Sequence, residues 1–253
     1  MPGCAHDGGF QGAVMEWITT LRRKAAEEIG RLGIEVQPLV VTVAASAFLI
    51  LPRYLSRGFE REARRLLSPE GVRMMHDLGI NITFVCQFIL PCIVLLCLRK
   101  RLRESGLGIG DVRFGAKACL LCVVLYLPAF LLLFHDPQTQ RYYAHGAKMY
   151  DWGTFFLWHV PSVVLLMLQT EFFFRGFLLL GIRRVTGDFY AILLQNIPYV
   201  LLHRGKPGLE ALGSIPVGLA LGYLAARTGS VWYGVALHGG IALLFEVMIR
   251  LLR

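Results

Sequence analysis

Seven predominantly apolar stretches, near residues 37–52, 80–98, 116–134, 154–182, 189–203, 210–226 and 230–252, take up most of this chain. In lipid every backbone amide must find its hydrogen bond inside the segment, which leaves the α-helix as the spanning element for runs of this kind. A span needs about 20 mostly apolar residues, and the long fourth stretch has room for a break. The 253 residues are 55% hydrophobic and only 17% charged, with a mean hydropathy of +0.56, too apolar for an ordinary soluble domain of this length. The expectation is an all-α, polytopic membrane helix bundle with about seven or eight transmembrane helices.

The net charge of +9 comes from 26 Lys and Arg against 17 Asp and Glu. Basic loops of an integral membrane protein meet anionic lipid head groups, so membrane lipids are expected partners. Nucleic acid is not, because no soluble basic domain exists to hold it. The loops at 53–73 and 99–117 are both basic although a single span separates them, so charge does not orient the chain and one of them is expected along the interface.

Five of the six cysteines (Cys86, Cys92, Cys97, Cys119, Cys122) sit in the second and third stretches, where they serve as small apolar residues. Cys119-x-x-Cys122 has no His or second CxxC beside it and is not expected to bind metal. Met1 to Gly9 lacks a basic start followed by an apolar core, so no secretory signal is expected.

Val14, Ile18, Leu21, Ala25, Ile29 and Leu32 recur at helical spacing among Arg22, Arg23, Lys24, Glu27 and Glu28, the pattern of an amphipathic surface helix. Residues 1–36 are therefore expected to form an N-terminal interfacial extension and residues 37–253 a single membrane domain. Residues 55–78 alternate Arg-rich and apolar positions and predict a second interfacial helix.

Chemistry is expected from Tyr150 onward. Glu171 and Arg175 stand at i and i+4 in an apolar stretch, the spacing at which the two side chains meet on one helix face. Moving an ionisable group to the bilayer centre costs about 3 kcal/mol on insertion scales, so such groups pair, line a wet cavity or do chemistry. His203 and His238 lie in later stretches. Two imidazoles and a carboxylate suit either a divalent metal such as zinc, held by Glu171, His203 and His238, or metal-free activation of water with an oxyanion partner. Glu210 and Glu246 are secondary candidates that complete a site, cap a helix or snorkel. His159, two residues before Pro161, reads as structural. Pro198 and Pro216 are expected to kink their helices, and Thr228-Gly229-Ser230 to form the turn between the last two spans.

The order Glu171-x-x-x-Arg175-Gly176, Tyr199-x-x-x-His203, Gly218-x-x-x-Gly222, Arg227-Thr228-Gly229-Ser230-x-Trp232 and His238 resembles the CPBP family of intramembrane proteases, the Abi group that includes the type II CAAX prenyl endopeptidases. It covers about residues 160–244. The resemblance implies an intramembrane peptidase, often labelled a metalloprotease, that hydrolyses a peptide bond of a transmembrane or lipidated protein substrate in a bacterial inner (plasma) membrane. It implies catalytic roles for Glu171 as base, Arg175 as its orienting partner, and His203 and His238 around water and oxyanion. Two positions depart from the family pattern: Thr170 stands where a first glutamate is usual, and Ala242 where an asparagine is usual. Two other accounts stay open, a non-catalytic relative that binds a membrane partner in the same cavity, and a proton or small-solute path.

Overall fold

The computed structural model describes residues 8–33, 35–148 and 151–251. Met1 to Asp7, on which most of the no-signal expectation rests, lie outside them, as do the side chains of Ile18, Ala25 and Ile29 in the expected amphipathic stripe. Helix takes up almost all the apolar sequence. In chain order the helices are α1 (Gly8–Arg31), α2 (Val36–Leu66), α3 (Pro69–Asp77), α4 (Ile82–Cys97), α5 (Val112–His135) and α6 (Pro137–Lys148), then a 51-residue run from Trp152 to Leu202. α9 (Gly208–Thr228) and α10 (Trp232–Leu251) follow it. Short polar side chains start several of them: Ser68 accepts from the Gly71 amide at 3.1 Å, Asn81 from Thr83 at 2.8 Å, and Asp111 from Phe114 at 3.0 Å, satisfying amides that the first turn leaves without partners.

Five helices are long and apolar enough to cross a membrane, or six when α3 and α4, bent by 59°, count as one. The 51-residue run is not a rod. Gly187 sits at φ 74°, ψ 162°, outside helical space, and divides it into α7 (residues 152–186) and α8 (residues 188–202). Arg175 of α7 lies with its Cζ 4.2 Å from the ring centre of Tyr199 in α8, whereas a straight helix would hold residues 24 apart at about 36 Å. The chain therefore doubles back at Gly187. That backbone region is essentially closed to side-chain-bearing residues, and nothing lies within 4 Å of a Cβ built there. Gly187→Ala should thus lower stability by about 1–3 kcal/mol through backbone strain alone; an unchanged thermal unfolding midpoint in detergent would show that the reversal does not need this glycine.

The expected break after residue 52 is corrected. Pro52 lies inside α2, which continues to Leu66, so the expected interfacial helix at 55–78 is instead the far end of α2 plus the short α3. At 31 residues α2 is about 46 Å long, well beyond the ~30 Å hydrocarbon core. Its Arg-rich last turns therefore project past the apolar slab, and the two basic loops fall at opposite ends of the bundle.

One end is closed by three hydrogen bonds between two connections, the loop after α4 and the turn between α9 and α10. The Val231 amide donates to Gly106 O at 2.9 Å, the Asp111 amide to Thr228 O at 3.1 Å, and Trp232 Nε1 to Leu107 O at 3.0 Å. Gly229, at φ 68°, makes the left-handed turn that ends α9, as expected of Thr228-Gly229-Ser230. At the other end Tyr143 of α6 meets Glu210 of α9, and Arg250 of α10 covers the rings of Trp152 and Phe155.

α7 is the central helix. In the 152–202 run 61% of the most apolar window is buried, against 17% in α2 and in α5; the exposed Leu120, Leu121, Val124 and Leu125 of α5 form a lipid-facing surface. Phe172, Phe173, Phe174 and Phe177 are fully buried against Val41, Ala45 and Phe48 of α2 and Cys86 of α4. Within α7 the segments Phe155–His159 and Phe172–Leu179 have π-helical geometry, as does Val85–Ile89 of α4. Two of these wide turns directly precede the helix starts that carry Pro91 and Pro161, where the ring would otherwise collide with the preceding turn. Pro198 and Pro216 each lie inside a helix, in α8 and α9.

Candidate active site

Glu171 closes the α-helical part of α7, and Arg175 lies one wide turn later in the π segment; both are fully buried. Glu171 Oε1 is shared. Arg175 Nη1 approaches it at 3.3 Å and His238 Nδ1, from α10, at 3.0 Å. Arg175 also donates through Nη2 to Gly218 O of α9 at 3.4 Å, an oxygen that Gln195 Nε2 of α8 reaches at 3.2 Å. The guanidinium faces the Tyr199 ring, which adds a cation–π contact. One buried cation thus joins α7, α8 and α9, and one carboxylate joins α7 to α10.

His203 follows α8 at its end, with Nδ1 3.0 Å from Tyr199 O. Its ring centre is 4.6 Å from that of Tyr199 and 6.4 Å from that of His238, and the two imidazoles are nearly parallel at 18°. A carbonyl and a carboxylate can only accept, so each imidazole carries its hydrogen on Nδ1 in these contacts, and each neutral ring offers the lone pair of Nε2 elsewhere. His238 is partly exposed, with 21% of its side chain accessible, while Glu171 behind it is sealed. Glu171 Oε2 has no hydrogen-bond partner among the described residues, and a Cβ on Gly234 would approach it to 2.5 Å. Glycine at 234 is what lets α10 come this close.

Glu171, Arg175, His203 and His238 are therefore brought together, with Tyr199 as their common floor. Tyr199 appears in the sequence only as the aromatic one turn before His203. The secondary candidates lie elsewhere. Thr170 returns its hydroxyl to Leu166 O of its own helix at 2.8 Å. Glu210 accepts from Tyr143 at 2.9 Å and pairs with Lys206 at 3.3 Å; burial, then the Glu210 charge and hydrogen bond, push the Tyr143 phenol well above its ordinary pKa, so it stays protonated and donates. Glu246 pairs with His159 of α7, about two turns along α10 from His238. The same two helices thus carry two acid–imidazole contacts of opposite polarity, Glu171 with His238 and His159 with Glu246. No signal in the sequence joins His159 to Glu246, 87 positions apart.

Glu171 Oε2 and the two Nε2 atoms are the donors of the expected zinc set that remain without a partner among the described residues, but they are not gathered as a metal site. Among the described residues no three His, Cys, Asp or Glu side chains are placed to hold a metal ion. In the expected set, Glu171 Oε1 is taken by Arg175 and His238, and both Nδ1 atoms are engaged.

Fold and cluster together define a polytopic helical membrane protein built around a buried carboxylate, guanidinium and imidazole group. Residues 152–244 match the family model described as type II CAAX prenyl endopeptidase Rce1-like, in agreement with the resemblance to the CPBP family carried by the motif order. No curated protein and no solved structure is significantly similar to the chain.

Proposed function

We propose that the chain is an intramembrane endopeptidase of the CAAX-protease type, acting on a peptide bond of a membrane-embedded or lipidated protein. The observation that carries this reading is the bridge from buried Glu171 to half-buried His238, with a second imidazole, His203, stacked beside it. Glu171 holds the His238 ring by its Nδ1–H and leaves Nε2 as the base; Arg175 holds Glu171. The expected role of Glu171 as the direct base moves to His238, because both carboxylate oxygens face protein.

In the reaction, water oxygen attacks the carbonyl carbon while His238 Nε2 takes the water proton. His203 Nε2, a lone-pair acceptor while its Nδ1–H is held by Tyr199 O, orients the attacking water beside His238. Collapse of the tetrahedral intermediate breaks the C–N bond, and the imidazolium proton of His238 passes to the leaving amine. Glu171→Gln keeps an oxygen for both neighbours but removes the charge that steadies an imidazolium. Turnover of a prenylated peptide or a reconstituted single-span peptide should fall by about 100-fold or more, read on protein that still elutes as one folded species below an unfolding midpoint lowered by the loss of Arg175's counter-charge. Full activity in that variant removes Glu171 from the reaction.

A second reading, binding without turnover, is favoured by Thr170 and Ala242. The Thr170 hydroxyl is returned to its own backbone and alanine donates nothing. It expects no cleavage of any such peptide, and capture of a membrane partner that His203→Ala weakens.

A further inference from the structure

At the closed end of the bundle, away from the histidines, a groove of about 760 Å³ runs between the start of α2, the loop after α4 and the Gly187 reversal. Its lining includes Gln37, Lys100, Glu104, Arg183, Arg184 and Asp188. The charges do not cancel in place. Arg183 is held by Asp188 at 3.3 Å and by Ala226 O at 3.1 Å, and Glu104 is held by Arg101 at 3.5 Å. Among the described residues Lys100 and Arg184 have no ion-pair partner. Lys100 is half-buried, and Arg184 is exposed. The Gln37 amide is pinned to Gly181 O at 3.1 Å, which fixes one wall of the groove against the other.

We propose that this groove is a binding site for the phosphate head group of an anionic phospholipid, with Lys100 and Arg184 as its charge partners. Two unneutralised cations facing one opening at a helix-bundle end match a phosphate, and basic clefts between spanning helices take such head groups. What favours a lipid over free phosphate is the border of the groove. Val36, Leu39, Val185, Phe189 and Tyr190, within two positions of lining residues in the sequence, expose apolar side chains that acyl chains would cover. A free anion has no use for them. The site is independent of the proposed peptidase reaction.

The test titrates the full-length protein in neutral detergent with short-chain phosphatidylglycerol and, separately, with phosphatidylcholine, and counts bound lipid by native mass spectrometry. Phosphatidylglycerol should bind at least about tenfold more tightly than phosphatidylcholine, and Lys100→Gln with Arg184→Gln should remove about tenfold or more of that affinity. Lys100→Arg with Arg184→Lys should keep it. A control pair at the far end of α2, Arg57→Gln with Arg61→Gln, should leave it unchanged. Both target side chains lie at the surface of the groove, and an unchanged helical circular dichroism signal checks folding. Equal binding in the Lys100/Arg184 double variant, an equal loss in the control pair, or displacement of phosphatidylglycerol by inorganic phosphate at comparable concentration would each overturn the proposal, the last by making free phosphate the ligand.

Discussion

Arg175→Met destabilises the bundle by about 3–5 kcal/mol, the cost of leaving a buried charge without its partner. Glu171 is sealed, its Oε2 already lacks a hydrogen bond, and its Oε1 relies on Arg175 and His238. Removing the guanidinium also strands Gly218 O and empties the space over Tyr199. Adding Glu171→Leu should recover most of the loss, because a buried ion pair replaced by apolar residues of similar volume is often neutral or better. Thermal unfolding in detergent, followed by loss of monodisperse protein, reads both variants. If Arg175→Met alone melts like the parent, the ion pair does not hold these helices together. If the double variant stays as weak as the single one, the lost contacts to Gly218 and Tyr199 matter more than the orphaned carboxylate.

His238→Ala lowers kcat/KM for a cleaved peptide by about 1000-fold, within the range that general acid–base groups contribute. The ring spans two tasks, meeting Glu171 on one nitrogen and the reacting water on the other. His203→Ala should cost a similar factor. Since the two imidazoles stand 6.4 Å apart and act on the same attacking water, the double variant should lose little beyond either single one, as groups working as a unit do. Single-turnover rates separate this from weakened binding. Multiplying losses in the double variant would mean that the imidazoles act on separate steps, and a fully active His238→Ala would remove it from the chemistry.

How much of this was legible in the sequence follows from which forces act locally. The spans were legible because lipid forces backbone hydrogen bonds inside each apolar run. Glu171 and Arg175 were legible because i and i+4 meet on any helix. The contact between Glu171 and His238 was not, since 67 positions separate them and helix packing alone joins them. The extension of α2 past Pro52 is hidden because the apolar run ends there, while the Arg, Glu, Ala and Leu residues after it are good helix formers that continue the helix. Glu210 and Glu246 looked like spare catalytic acids; their partners Tyr143, Lys206 and His159 come from distant positions or the next turn and tie them elsewhere. The groove at Lys100 and Arg184 was invisible because it needs the reversal at Gly187 to bring its walls together.

Two greasy rods in hydrocarbon gain little by choosing one sliding position over the next. α7 and α10 escape that indifference because their acid–imidazole contacts are pinned at two heights, with the acid on a different rod each time. A slip by one turn would strand two carboxylates and two imidazoles at once. The pair at His159 and Glu246 thus works as a ruler, keeping His238 level with Glu171 from about 12 Å away.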